Sequence, residues 1–245
     1  MNLINFNIDN WLALSPGLAT QEEWINWSEN NHQWPKELPP VTASLIKPMM
    51  RRRMSSLSKL ALQAALKLSA EVAIDYIVFS SRHGELTRTA TLISDIVQGE
   101  DASPMAFSQS VHNTAAGLFT INANRPTPVT SIAAVESTLH HALIEATIYI
   151  KENPKHCVLV VDFDEPLPEL YEKYESSISS EKPYQGYAFA ALLSDGDKFQ
   201  LSWNKSTQPV TAQLPQTFSV IDFLLQEKQK NTISDTRLSW NWSRL

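Results

Sequence analysis

Val129-Thr130-Ser131-Ile132-Ala133-Ala134 is a short apolar strand pattern, and through Val135-Glu136-Ser137 it runs into a helical one. From Glu136 to about Ile150, Leu139, Ala142, Leu143 and Ala146 recur on one face. The next apolar run is Cys157-Val158-Leu159-Val160-Val161-Asp162-Phe163. Strand, helix, strand is the repeating unit of an α/β layered sheet. This last run and a second, Tyr187 to Leu193, are almost continuously apolar, as strands covered on both faces are.

Upstream the same alternation holds. Ile74 to Phe79 reads as a strand that closes at Ser80-Ser81-Arg82-His83-Gly84, and Thr87 to Val97 as a helix. Ser55 can cap a helix carrying Leu57, Leu60, Ala61, Ala64, Ala65 and Leu68. Thr20 with Glu23 gives the pattern of a capped helix start before Trp24 and Trp27. Ile4 to Leu14 alternates weakly and ends in turn chemistry at Ser15-Pro16-Gly17, while Trp34 to Pro48 holds four prolines and reads as loop. Val111 to Ile121, with Val111, Ala115, Leu118 and Phe119 on one face, is expected to be a helix. Towards the end of the chain, Phe218 to Gln226 is a candidate helix and Leu238 to Trp242 a candidate edge strand.

The 245 residues are 43% hydrophobic and 19% charged, with a formal charge of −6, which argues for one folded domain over residues 1–245 and against a nucleic-acid binder. Cys157 is the single cysteine, so neither a disulfide framework nor a cysteine-based zinc site is available. Met1 to Asn10 lacks the basic start and apolar run of a leader, and no stretch of about 18 apolar residues occurs. The expectation is a cytoplasmic protein with no membrane segment.

Six glycines supply no phosphate-binding loop, dinucleotide fingerprint or serine elbow, and no cofactor is implied. Glu136 with His140 and His141 with Glu145 sit four apart, but the two pairs point in different directions and no second cluster completes a metal site. Arg51-Arg52-Arg53, taken alone, is a solvated charge run; guanidinium forks also suit an anionic partner.

Two stretches carry a more specific signal. Ser103-Pro104-Met105-Ala106-Phe107 leads to Ser110-Val111-His112-Asn113-Thr114-Ala115-Ala116-Gly117, and Arg125-Pro126-Thr127-Pro128 opens the strand that ends at Glu136-Ser137. The order resembles the N-terminal half of β-ketoacyl synthases, of the thiolase-like family: a Ser-Pro, an Asn, a Gly, a Gly-Pro and a Thr-Ala-Cys nucleophile elbow. Leu14-Ser15-Pro16-Gly17, Arg53-Met54 and Gly84 also look like the ketosynthase N-terminus. The departures are informative. Glu136 stands where the nucleophilic Cys belongs, and Thr127 replaces the glycine before Pro128. A carboxylate suits a helix N-terminus, but its acyl product would be a reactive anhydride rather than a thioester. No His follows His156, whereas ketosynthases draw two histidines from their second half. Cys157 opens an apolar run and reads as a core thiol.

The resemblance therefore implies a non-catalytic chain-length factor of the short, aryl polyene type, which heterodimerises with an active β-ketoacyl synthase and shapes its acyl tunnel. It implies a mixed five-stranded sheet covered by helices. Val129, Thr130, Ser131, Ile132 and Ala133 would form an edge pairing across the dimer. Met105, Ala106, Phe107, Ser110 and Thr114 would bound the tunnel, and Arg51, Arg52 and Arg53 would dock an acyl carrier protein. Two alternatives stay open: an enzyme using Glu136 as general base with His112 or His140, and a stand-alone carrier-protein binding module.

Overall fold

A computed structural model describes residues 2–124, 126–172, 184–207 and 214–245. Arg125 of the motif lies outside them. Seven strands form one sheet: β1 (Asn2–Leu14), β2 (Tyr76–Ser80), β3 (Val129–Ile132), β4 (Val158–Asp164), β5 (Tyr187–Lys205), β6 (Lys230–Ser234) and β7 (Leu238–Arg244). The order is β3-β2-β4-β5-β7-β6, with β1 beside β5 off this path. β3, β2 and β4 are parallel, and the strands around β5 antiparallel. Because Ser80 lies opposite both Ile132 and Asp162, the C-terminal ends of the three parallel strands come level.

Nine helices are described: α1 (Gln21–Glu29), α2 (Pro48–Arg51), α3 (Ser56–Leu68), α4 (Leu86–Val97), α5 (Pro104–Ser108), α6 (Thr114–Ala123), α7 (Thr138–Glu152), α8 (Glu169–Glu172) and α9 (Gln216–Leu225). One sheet face, with Val78, Val158, Val160 and Phe189, packs against Leu139, Leu143 and Ala146 of α7, Phe218 of α9 and Trp24 and Trp27 of α1. The other, with Ile77, Phe79, Leu159, Val161 and Phe163, packs against α3 and α6. The uninterrupted apolar runs of β4 and β5 follow from this double cover. Thr20 and Glu23 form the expected capping box on α1, and Ser55 accepts the Ser58 N–H at 2.9 Å at the start of α3.

Three expectations are corrected. The sheet has seven strands rather than five, because β5 runs on for nineteen residues and the β6–β7 hairpin adds to its second half. Leu238 to Trp242 is not an edge; β7 is flanked by β5 and β6, so Trp240 and Trp242 are buried, and polar Lys230-Asn231-Thr232 masked the true edge strand. Nor is Val111 helical. Residues 111–113 make a turn and α6 starts at Thr114, whose Oγ1 donates to the Val111 carbonyl at 2.8 Å. The cause is His112: its Nε2 lies 2.7 Å from the Ser81 carbonyl, and its ring sits so close over Gly84 that a Cβ there would lie 3.1 Å from it.

Candidate functional site

The level ends of β2, β3 and β4 make a cleft, as strand C-termini do in α/β folds. Its upper lip is the turn between β3 and α7. Val135 has φ +55° there, a left-handed conformation that a β-branched residue rarely adopts and that costs roughly 1–3 kcal/mol. Glu136 follows, half-buried, on a single 3-10 turn at the head of α7. Arg82, His83, Glu136, Tyr187 and Thr217 are among the residues lining the cleft, which holds about 30 Å³ of space for water. That volume is room for one or two water molecules.

Its floor is acidic. Asp162 accepts hydrogen bonds from the hydroxyls of Ser80 (2.6 Å), Thr217 (2.6 Å) and Tyr187 (3.1 Å). Burial, aided by the charge of Asp164, pushes its carboxyl up to about 7. Asp164 is also buried and raised by burial, although the Ser81 hydroxyl and the N–H groups of Arg82 and His83 all donate to it. Neither acid was singled out from sequence as a site residue. The available signal was Asp-x-Asp at the C-terminal end of an otherwise apolar strand.

Behind the turn the chain's own C-terminal hairpin fills the space. The Ser137 hydroxyl donates to Asp235, and Trp240 Nε1 donates to Ser137 Oγ at 2.8 Å. Gln216 Nε2 (3.0 Å) and the N–H groups of Arg237 and Leu238 (2.7 Å each) also donate to Asp235. Burial works against that carboxylate, but these bonds hold its pKa below the usual range. His140 is fully buried, stacked on Trp240 at 4.5 Å, and its Nε2 accepts from Trp242 Nε1 at 3.1 Å. Burial lowers its pKa to about 3, so the imidazole is neutral and engaged. His112 is likewise committed to the Ser81 carbonyl. The two histidines considered as partners for Glu136 thus have structural employment.

The remaining candidates fall in different settings. Val129, Thr130, Ser131 and Ile132 are the half-buried edge strand β3, and Ala133 is exposed beyond it. Met105 and Phe107 on α5 stand in solvent, Phe107 at 64% exposure; Ala106 and Ser110 are half-buried and Thr114 buried. Ser110 and Thr114 do not share a helix, since Ser110 lies in the turn between α5 and α6. Arg51 is half-buried, donating to the Ala43 carbonyl at 3.0 Å, whereas Arg52 and Arg53 are exposed. The Cys157 thiol is half-buried and pushed up to about 11, first by burial and then by Asp9 and Asp75. Glu145 accepts from the Tyr76 hydroxyl at 2.9 Å. Among the described residues no group of three or more His, Cys, Asp or Glu side chains is placed to hold a metal ion, and no helix is long and apolar enough to cross a membrane.

The family profile described as "Beta-ketoacyl synthase, N-terminal domain" matches residues 24–243. Among solved structures, a chain of the complex of the ketosynthase ApeO with its chain length factor ApeC from Xenorhabdus doucetiae is 33% identical. That match covers 98% of this chain and 100% of the other, with a TM-score of 0.88. The ishigamide ketosynthase/chain length factor (16% identity, TM-score 0.62; 84% and 68% covered) shares the fold. So does the AntDE:AntF complex of a ketosynthase with its acyl-carrier protein (11% identity, TM-score 0.67; 100% of both chains covered). No curated protein matches. With its profile match and a full-length relative above 30% identity, the chain belongs to the β-ketoacyl synthase N-terminal domain family.

Proposed function

We propose that this chain is a non-catalytic chain-length factor that pairs with an active β-ketoacyl synthase and bounds the tunnel in which the acyl chain grows. The observation that carries the reading is Glu136 on the turn at the head of α7, the position that the resemblance assigns to the family's nucleophile. A carboxylate there cannot hold a stable acyl intermediate. The small acidic cleft and the engagement of His112 and His140 support the same reading, as does the full-length likeness to a chain from a ketosynthase and chain-length-factor complex.

The surface supports a partner. Among the described residues sixteen large hydrophobic side chains are exposed, and eight of them lie between residues 93 and 135: Ile93, Ile96, Val97, Met105, Phe107, Val111, Ile121 and Val135. Exposed apolar side chains and a sheet edge with no described neighbour are both features that a partner can cover. In the proposed assembly β3 lies at the contact, α5 and the following turn face the partner's tunnel, and Arg52 and Arg53 meet an acidic carrier protein. The product belongs to the aryl polyene or a related polyketide class. Acyl transfer and malonyl decarboxylation by the purified chain test the reading. No turnover is expected alone and full condensation is expected with the ketosynthase; turnover by the chain alone that disappears in Glu136→Gln would establish the enzyme alternative.

A further inference from the structure

Two buried side-chain atoms behind the turn find no hydrogen-bond partner among the described residues: Nδ1 of His140 and Oε1 of Gln216. Their chemistry is complementary. An indole N–H can only donate, so the bond from Trp242 Nε1 makes His140 Nε2 the acceptor and puts the proton of the neutral ring on Nδ1. Gln216 Nε2 donates to Asp235 at 3.0 Å, and turning the amide over would set its oxygen against that carboxylate. One side chain thus carries a buried N–H that needs an acceptor, and the other a buried carbonyl that needs a donor. We propose that Gln216 is a latch between α9 and α7, its amide oxygen taking the Nδ1–H of His140 while its amide nitrogen holds Asp235.

The surrounding bonds bring the two side chains together. Asp235 also accepts from the Ser137 hydroxyl, Ser137 Oγ accepts from Trp240, and Trp240 is the ring on which His140 stacks. Gln216 favours the protonated ring against the effect of burial, as a neighbouring acceptor does. Gln216 is the first residue of α9 and 4% exposed, and His140 lies fully buried in the first turn of α7. Leaving both groups unpaired keeps the desolvation cost of each, so a small rotation of the amide that joins them is favoured. Gln216 and Glu136 line the same cleft. Closing the latch therefore fixes one wall of that cleft and ties it to the helix that starts beside Glu136. The latch does not depend on the chain-length-factor reading.

Nitrogen-15 NMR of the histidine-labelled chain tests it, with His140→Phe assigning the His140 ring. In the wild type the ring proton is expected on Nδ1, exchanging slowly with water. Gln216→Leu removes the acceptor and should speed that exchange roughly 10-fold, the scale of one hydrogen bond. Gln216→Glu retains an oxygen there and should keep the exchange slow. Should Gln216→Leu fail to fold, Gln216→Asn takes its place, since it keeps the amide but shortens its reach, and the same acceleration is expected. A ring proton found on Nε2, or an exchange rate unchanged in the folded Leu or Asn variant, would overturn the latch. Exchange as fast in Gln216→Glu as in Gln216→Leu would also overturn it, because packing at residue 216 rather than its oxygen would then protect the ring.

Discussion

Inward from Glu136, Trp240, Trp242, His140 and Asp162 are buried and bonded to one another or to neighbouring hydroxyls. Outward from it, Val135 on the turn after β3, Val111 before α6, and Phe107 and Met105 on α5 stand in solvent. Catalytic sites invert this arrangement, keeping an open, preorganised interior for substrate. Here the interior is filled by the chain's own C-terminal hairpin while the rim is left unfinished. The difference teaches that one turn can divide a filled, hydrogen-bonded interior from an apolar rim left in solvent.

Emptying the filled side should have the largest effect. Trp240→Ala removes the ring on which His140 stacks and the N–H that holds Ser137, and loss of a buried tryptophan costs about 3–5 kcal/mol. Chemical denaturation should show a midpoint far below wild type. A shift no larger than that of a surface substitution would mean that the hairpin is not what locks the turn.

Asp162 sharpens the comparison through pH. Its carboxyl is raised from the ordinary 3.8 to about 7 by burial, so between those values the folded chain holds a proton that the unfolded chain has released. Stability should therefore fall as pH rises from about 4 to about 7, by at most about 1.4 kcal/mol per unit for one proton, and level off above. Asp162→Asn should flatten that segment, since the Thr217 and Tyr187 hydroxyls can accept from an amide as readily as they donate to a carboxylate. Unfolding curves at several pH values check this; an unchanged slope would move the proton to another group, Asp164 first.

The smallest effects belong to the arginine run, which the structure divides. Arg51→Ala should lower stability by about 1 kcal/mol, because the Ala43 carbonyl loses its donor. Arg52→Ala and Arg53→Ala, both exposed, should leave stability within about 0.5 kcal/mol. Carrier-protein binding is proposed to weaken in those two and to lose part of its salt dependence. Titrations at low and high ionic strength separate the outcomes: identical binding curves would return the pair to a solvated face.

Much of the fold was legible along the chain. The runs at Cys157 to Phe163 and Tyr187 to Leu193, the α7 periodicity and the Thr20-x-x-Glu23 box each act locally, so their elements form where the pattern places them. The order of motifs from Ser103 to Glu136 likewise suffices to bring out the family. The β6–β7 hairpin was not legible as such. Lys230-Asn231-Thr232-Ile233-Ser234 offers a single buried apolar residue, and its pairing is fixed by β7, which in turn is fixed by the far half of β5.

What the sequence determined by itself is local: which segments bury both faces, where helices begin, and that a carboxylate stands at position 136. Tertiary structure alone decided that Asp162 and Asp164 meet hydroxyls and backbone N–H groups from β2, β5 and the turn after β2, and that Trp240 and Trp242 back the turn before α7. Those contacts join residues 25 to 103 positions apart. A side chain's burial and protonation depend on what long-range pairing sets beside it, and no local pattern records that.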